Sequence, residues 1–275
     1  MKVEYIREFL PADEKPPSQV SGMVQFAYTL PASGGPTPPA IASVVTSGSG
    51  NPSIAPNAWV EIKGSNLAPA SDSRSWQGSD FVNGQLPTRL DGVSVTVNGK
   101  AAYVAYISPT QINILTPPDA ITKNVPVQVA LNGAASNAFS APAAAVSSAF
   151  FTFSGVPYVA ATHANGSYLG PATLYPGATT PAKPGETVVL YANGFGATSP
   201  AAVAGSPVQS GTLATLPVVQ IGGTRATVQF AGLISPGLFQ FNVVVPPDAP
   251  DGDLALTATY SGTSTQTGTL ITVQH

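Results

Sequence analysis

The sequence predicts an all-β protein, with two sandwich domains in tandem behind an extended N-terminal arm. Three observations carry this. First, one pattern is written twice, as VSVTVNGKAAYVAYISPTQINILTPPDA at residues 93–120 and as VVQIGGTRATVQFAGLISPGLFQFNVVVPPDA at residues 218–249. Second, apolar residues recur with period two along most of the chain, and past residue 17 no stretch shows a helical stripe of ordinary length. Third, 275 residues suit two domains of common size plus a tail, each able to bury its own core. The divisions expected are an arm at 1–39, a first sandwich at 40–148 and a second at 149–275.

The arm begins with MKVEYIREFL, and residues 1–17 hold seven of the 23 charged side chains. Its apolar residues fit a helical stripe and a strand face equally well. Pro11, Pro16 and Pro17 end whichever forms. GMVQFAYTLP follows, in which Val24, Phe26 and Tyr28 alternate with polar or small residues, so it reads as one isolated strand. ASGGPTPPA is a linker. A lone strand must pair somewhere, on its own domain or on the sheet edge of another subunit.

In AWVEIKGSNL the small aliphatic set Ala58, Val60 and Ile62 should face the core, which puts Trp59 on the outer face beside Glu61 and Lys63. There Trp59 needs cover, from the arm, from the second domain or from another subunit. A long loop from Ala68 to Pro87 carries Asp72, Arg74, Trp76, Asp80 and Phe81. Val93, Val95 and Val97 then face inward up to Asn98-Gly99, a dipeptide that supplies the positive φ angles of a tight hairpin. Val104 and Tyr106, then Ile112 and Ile114, should continue that core, with PVQVAL as a late strand.

The junction SSAFFTFSGVPY brings Phe150, Phe151 and Phe153 together, which suggests a packed joint. A short hairpin is expected around Asn165-Gly166. PAKPGETVVLYANGFG opens the second sandwich, where Leu190 and Phe195 repeat the spacing of Ile62 and Leu67. Gly222-Gly223 makes its hairpin, and LALTATY and TLITVQ close it.

Charged residues make up 8% of the chain against roughly a quarter in an average soluble protein. A net charge of −3 offers no basic footprint for nucleic acid and no polybasic membrane signal. No apolar run reaches spanning length. Cysteine is absent, which removes disulfides, zinc-thiolate sites and thiol nucleophiles. MKVEYIREFL lacks the apolar stretch of a signal peptide, so export implies a leader already removed or a chain cut from a longer one.

The pair IKGSNL and LYANGF, each opening a unit that ends in PPDA, resembles the IPT/TIG group of immunoglobulin-like domains. The longer series PTRLDGVSVTVNGKAAYVAYISPTQINILTPPDA, AFFTFSG, ANGS, PAKPGETVVLYANGFG and IGGTRATVQFAGLISPGLFQFNVVVPPDAPDG resembles the Solibacter-type uncharacterised C-terminal domain over roughly residues 40–275. That resemblance implies paired immunoglobulin-like sandwiches and a secreted or cell-surface location, and it transfers no catalytic residue. Two departures from the pattern stand out: Pro56-Asn57 where Pro-Gly is expected, and ANGS without the expected Asp.

Sites follow from residue chemistry. No G-x-S-x-G elbow, P-loop or H-E-x-x-H occurs, and of the two histidines His275 is terminal and His163 has no acidic neighbour in sequence. Thirteen carboxylates could include a glycosidase pair, which leaves no spacing rule, but about half lie in the arm or in turns, and the chain reads as a non-enzyme. Asp248, Asp251 and Asp253 could hold one calcium ion, the alternative being a plain turn; no other cofactor is expected. Trp76 and Phe81, with Arg74 beside them, offer an aromatic face and hydrogen-bonding groups suited to sugar, or else Trp76 plugs the open end of the sandwich. The Gln-x-Asn triplets, Gln111 with Asn113 and Gln240 with Asn242, should point outward and bond backbone in the adjoining loop.

Together these readings point to a non-catalytic extracellular structural protein. Val24, Phe26 and Tyr28 would pair with a neighbouring subunit, with Trp59 at the interface, giving a homo-oligomer or filament for a surface or adhesive role. The alternative is a carbohydrate-binding accessory module whose partner is a polysaccharide. Neither reading involves nucleic acid or membrane insertion.

Overall fold

The computed structural model describes residues 37–275. The arm strand with Val24, Phe26 and Tyr28 lies outside these residues. Among the described residues the regular elements are all β-strands apart from two short 3-10 turns, Gly78–Asp80 and Val82–Gly84.

The first sandwich has two antiparallel sheets. One is ordered β1 (Ala40–Thr46), β2 (Trp59–Ser65), β6 (Gln111–Leu115), β5 (Tyr103–Ile107) and β3 (Arg74–Ser75). Facing it, β4 (Val93–Val97) and β8 (Phe139–Ala143) flank β7 (Lys123–Leu131). Alternation builds the core as the pleat requires. Val60, Ile62, Ile112 and Ile114 from one sheet meet Val93, Val95, Val127 and Val129 from the other, all buried in one cluster. The hairpin turn is as expected, with φ of 51° at Asn98 and 75° at Gly99.

One expected core residue is misplaced. Tyr106 is half-buried on the outer face, and Ile107 takes the inward position. The register explains it: Val104 pairs with Ile114 but Tyr106 pairs with Asn113, so Ala105 is an extra residue. A β-bulge of this kind reverses the facing of every side chain beyond it.

The second sandwich uses β9 (Ala149–Phe150), β10 (Ala161–His163), β11 (Thr187–Asn193), β12 (Gly211–Thr212), β13 (Val218–Ile221), β14 (Thr224–Ser235), β15 (Leu238–Val244), β16 (Gly252–Tyr260) and β17 (Leu270–Val273). β14 joins the layers: its first residues pair with β13 and the rest with β15. The core is richer in aromatics, with Phe195 and Phe241 at 4.7 Å and Phe150 and Phe241 at 6.0 Å, both edge to face. Phe150 thus belongs to this core. The same bulge recurs, since Val228 pairs with Val243 and Phe230 with Asn242, leaving Gln229 extra.

Where the two sandwiches meet, polar side chains bridge them. Asn193 is completely buried. Its Oδ1 accepts from the Trp59 N–H at 2.9 Å, and its Nδ2 donates to the carbonyls of Trp59 and Ser47 at 2.9 and 3.1 Å. The Asn57 amide donates across to Gln209 Oε1 at 2.9 Å, and at the end of the first sandwich Ser147 Oγ donates to the Ser53 carbonyl at 2.6 Å. Gly194 is obligatory here: its φ is 73°, and a Cβ would lie 2.1 Å from the Ser147 carbonyl oxygen.

Candidate functional site

β2 opens at Trp59, and its alternation turns Trp59, Glu61 and Lys63 to the outer face. The cover Trp59 requires comes from the second sandwich. Its indole N–H donates to the Pro236 carbonyl at 2.9 Å, in the turn between β14 and β15. Gly237, at φ 66°, lets that turn approach, because a Cβ there would lie 2.8 Å from Trp59 Nε1 and 2.5 Å from Leu115 Cδ1.

Trp76 reaches the same face from the long loop. Its backbone N–H donates to the carbonyl of the bulge residue Ala105 at 2.8 Å. The indole meets Trp59 at 5.7 Å and Phe81 at 5.3 Å, both nearly edge to face. Leu86, Tyr103 and Leu115 are buried beneath these rings. Phe81 is therefore a support for Trp76.

Arg74 is a brace for the loop. Its guanidinium donates to Asp80 at 2.8 and 3.2 Å, to Asp91 at 2.5 and 2.9 Å, and to the Ser75 carbonyl at 3.2 Å. The two carboxylates, Asp91 first, raise the guanidinium above its ordinary range. Hydrogen bonding to Arg74 holds both acids below the usual carboxylate range. With its donors so occupied, Arg74 has little left for a ligand.

Trp59, Trp76 and Tyr106 line a groove of about 690 Å³, walled on one side by Phe151 and Thr152 of the second sandwich. This lies within the range of small-ligand clefts, about 300–1,000 Å³. Its polar groups are Glu61, Lys63, Ser75 and Asn113. Glu61 stands directly across from Asn113, and Lys63 from Gln111. The triplet's amides bond to each other, Gln111 Nε2 donating to Asn113 Oδ1 at 2.8 Å, and Gln240 to Asn242 likewise at 2.8 Å. They fix one another across the pleat and do not bind loop backbone as expected. The Asn113 amino group and the Trp76 indole N–H have no protein acceptor among the described residues.

Other expected sites fall apart from this groove. Asp251 accepts from the His275 backbone N–H at 2.8 Å and faces its ring at 2.6 Å, which lowers the carboxyl below its ordinary value. Asp253 accepts from Tyr158 at 2.9 Å and Thr272 at 2.6 Å, while Asp248 is exposed. Among the described residues no three His, Asp or Glu side chains gather where a metal could sit. Each of the two engaged acids thus has its own protein donor. His163 does have an acidic neighbour: Nδ1 faces Glu186 at 2.5 Å, and Nε2 faces the Thr180 carbonyl and hydroxyl at 3.1 and 2.9 Å. The partners come from 23 and 17 residues away, which sequence spacing does not reveal.

Residues 47–145 match the model of the IPT/TIG domain. The groove's tryptophans, Glu61, Lys63, Tyr106 and Asn113 all lie within the matched residues. No curated protein matches the chain. Among solved structures it is similar to SGBP-B of the mixed-linkage glucan utilization locus of Bacteroides ovatus, solved with a mixed-linkage heptasaccharide. Identity there is 12%, coverage 81% of this chain and 44% of that one, and the TM-score 0.31. It is also similar to the plexin A4 extracellular region, at 13% identity, 98% and 20% coverage and TM-score 0.29. Domains 5–6 of the S-layer protein SbsC are similar at 11% identity, 86% and 98% coverage and TM-score 0.24. The chain spans a fifth of the plexin chain and less than half of the SGBP-B chain.

Proposed function

We propose that the protein is an extracellular, non-catalytic binding module that holds a carbohydrate chain in the groove at Trp59 and Trp76. One observation carries this reading. Two tryptophans and a tyrosine share a groove with a carboxylate, an ammonium and a carboxamide whose donors have no protein acceptor among the described residues. Apolar rings that stack on the C–H face of a sugar, flanked by hydrogen-bonding groups for its hydroxyls, are what such a ligand requires. Among the described residues Glu61 is the one carboxylate lining the groove. The motif order that resembles a secreted family supports the location. The filament reading places Trp59 at a subunit interface, whereas here its indole N–H is bonded by the second sandwich and one side of the ring lines the groove; the arm strand lies outside the described residues.

The test is affinity electrophoresis of the full chain in gels containing neutral and charged polysaccharides. Retardation by at least one is expected. Trp76→Ala should weaken it about fivefold, the loss of one aromatic contact of roughly 1 kcal/mol. Asn113→Ala should weaken it without disturbing the rings. A chain that migrates freely through every gel would end the proposal.

A further inference from the structure

Resting on that reading, we infer that the groove selects uncharged glycan chains over uronate-containing ones, and that the Glu61–Lys63 pair sets this choice. Lys63 Nζ lies 3.6 Å from Glu61 Oε2, two residues along one strand and therefore on one face. The pair has no net charge, and the groove's remaining polar groups are hydroxyl, indole and carboxamide. An acidic sugar entering would gain no net attraction, because the Glu61 carboxylate beside the Lys63 ammonium repels the charge that the ammonium attracts. The nearest loop charges give no help: Arg74 with Asp80 and Asp91 carries a surplus of one negative charge. A neutral chain meets no such obstacle. Glu61 accepts from vicinal hydroxyls while the Asn113 amino group donates, and neither ion needs to leave the other.

The discriminating experiment uses the full chain and calorimetric titration with two probe sets of equal length, neutral β-linked hexasaccharides and oligogalacturonate. The wild type should bind a neutral probe and not the uronate. Glu61→Gln frees Lys63 and should raise uronate affinity relative to neutral affinity by about threefold or more, a surface-charge effect that added salt erases. Lys63→Gln, at a side chain 56% exposed and safe for folding, removes the groove's cation and should move the uronate-to-neutral ratio the other way. A wild type that binds uronate as well as the neutral probe overturns this inference and leaves the binding reading intact. So does an unchanged ratio in Lys63→Gln together with Glu61→Gln, or in Lys63→Gln alone if the other variant does not fold. A wild type that binds neither probe set, nor any polysaccharide in the gels, removes both.

Discussion

The side-chain amide of Asn193 holds both polar groups of the Trp59 backbone, accepting its N–H and donating to its carbonyl, each at 2.9 Å. The two residues stand 134 positions apart, one in each sandwich. A single buried carboxamide therefore fixes the first residue of the strand that carries the groove.

Asn193→Ala should cost roughly 2–4 kcal/mol, since it leaves the Trp59 N–H and the Ser47 carbonyl buried without this partner. Urea denaturation measures this. Asn193→Asp keeps the acceptor but loses the donor and should be no milder. An aspartate variant as stable as the wild type would show that the donor side is idle.

Gly237→Ala should destabilise by roughly 2–4 kcal/mol, from the left-handed backbone and from overpacking against Leu115 and Trp59. The indole must move for the methyl to fit, so tryptophan emission should shift as well. An unchanged melting temperature and emission would mean that the turn does not press on Trp59.

Acid should loosen the loop that carries Trp76. Asp80 and Asp91 both titrate below their ordinary values because Arg74 bonds them. Their contribution is present above the unfolded value of about 4 and is lost as pH falls through the lower folded values. Arg74→Gln should therefore melt below the wild type at neutral pH and converge with it in acid. Parallel melting curves from neutral to acidic pH would refute the brace.

The sandwiches were legible because strand alternation is local: Val93, Val95, Ile112 and Ile114 announce their facing within a few residues. The turn at Asn98-Gly99 is equally local. Tyr106 was misread because a bulge is one residue more than the pairing partner supplies, which a single strand does not reveal. Trp76 was found by its setting in a polar loop, while Trp59 was seen only as a surface needing cover. That the two rings meet, with Tyr106 and Asn113 beside them, depends on four strands and a loop converging in space. Arg74 was assigned to a ligand because its two carboxylate partners, six and 17 residues on, are not marked by any motif.

The bulge at Ala105 and its counterpart at Gln229 fall at the same register in the two halves of the molecule. The two sandwiches thus share an inner pattern and differ on the outer face. Trp59, Glu61 and Lys63 of one copy stand where the other has Thr187, Val189 and Tyr191, while Ile62 and Leu190 keep their buried places. One repeat unit therefore serves two ends: the first sandwich exposes a ring-bearing face, and the second supplies the turn and the wall that rest against it.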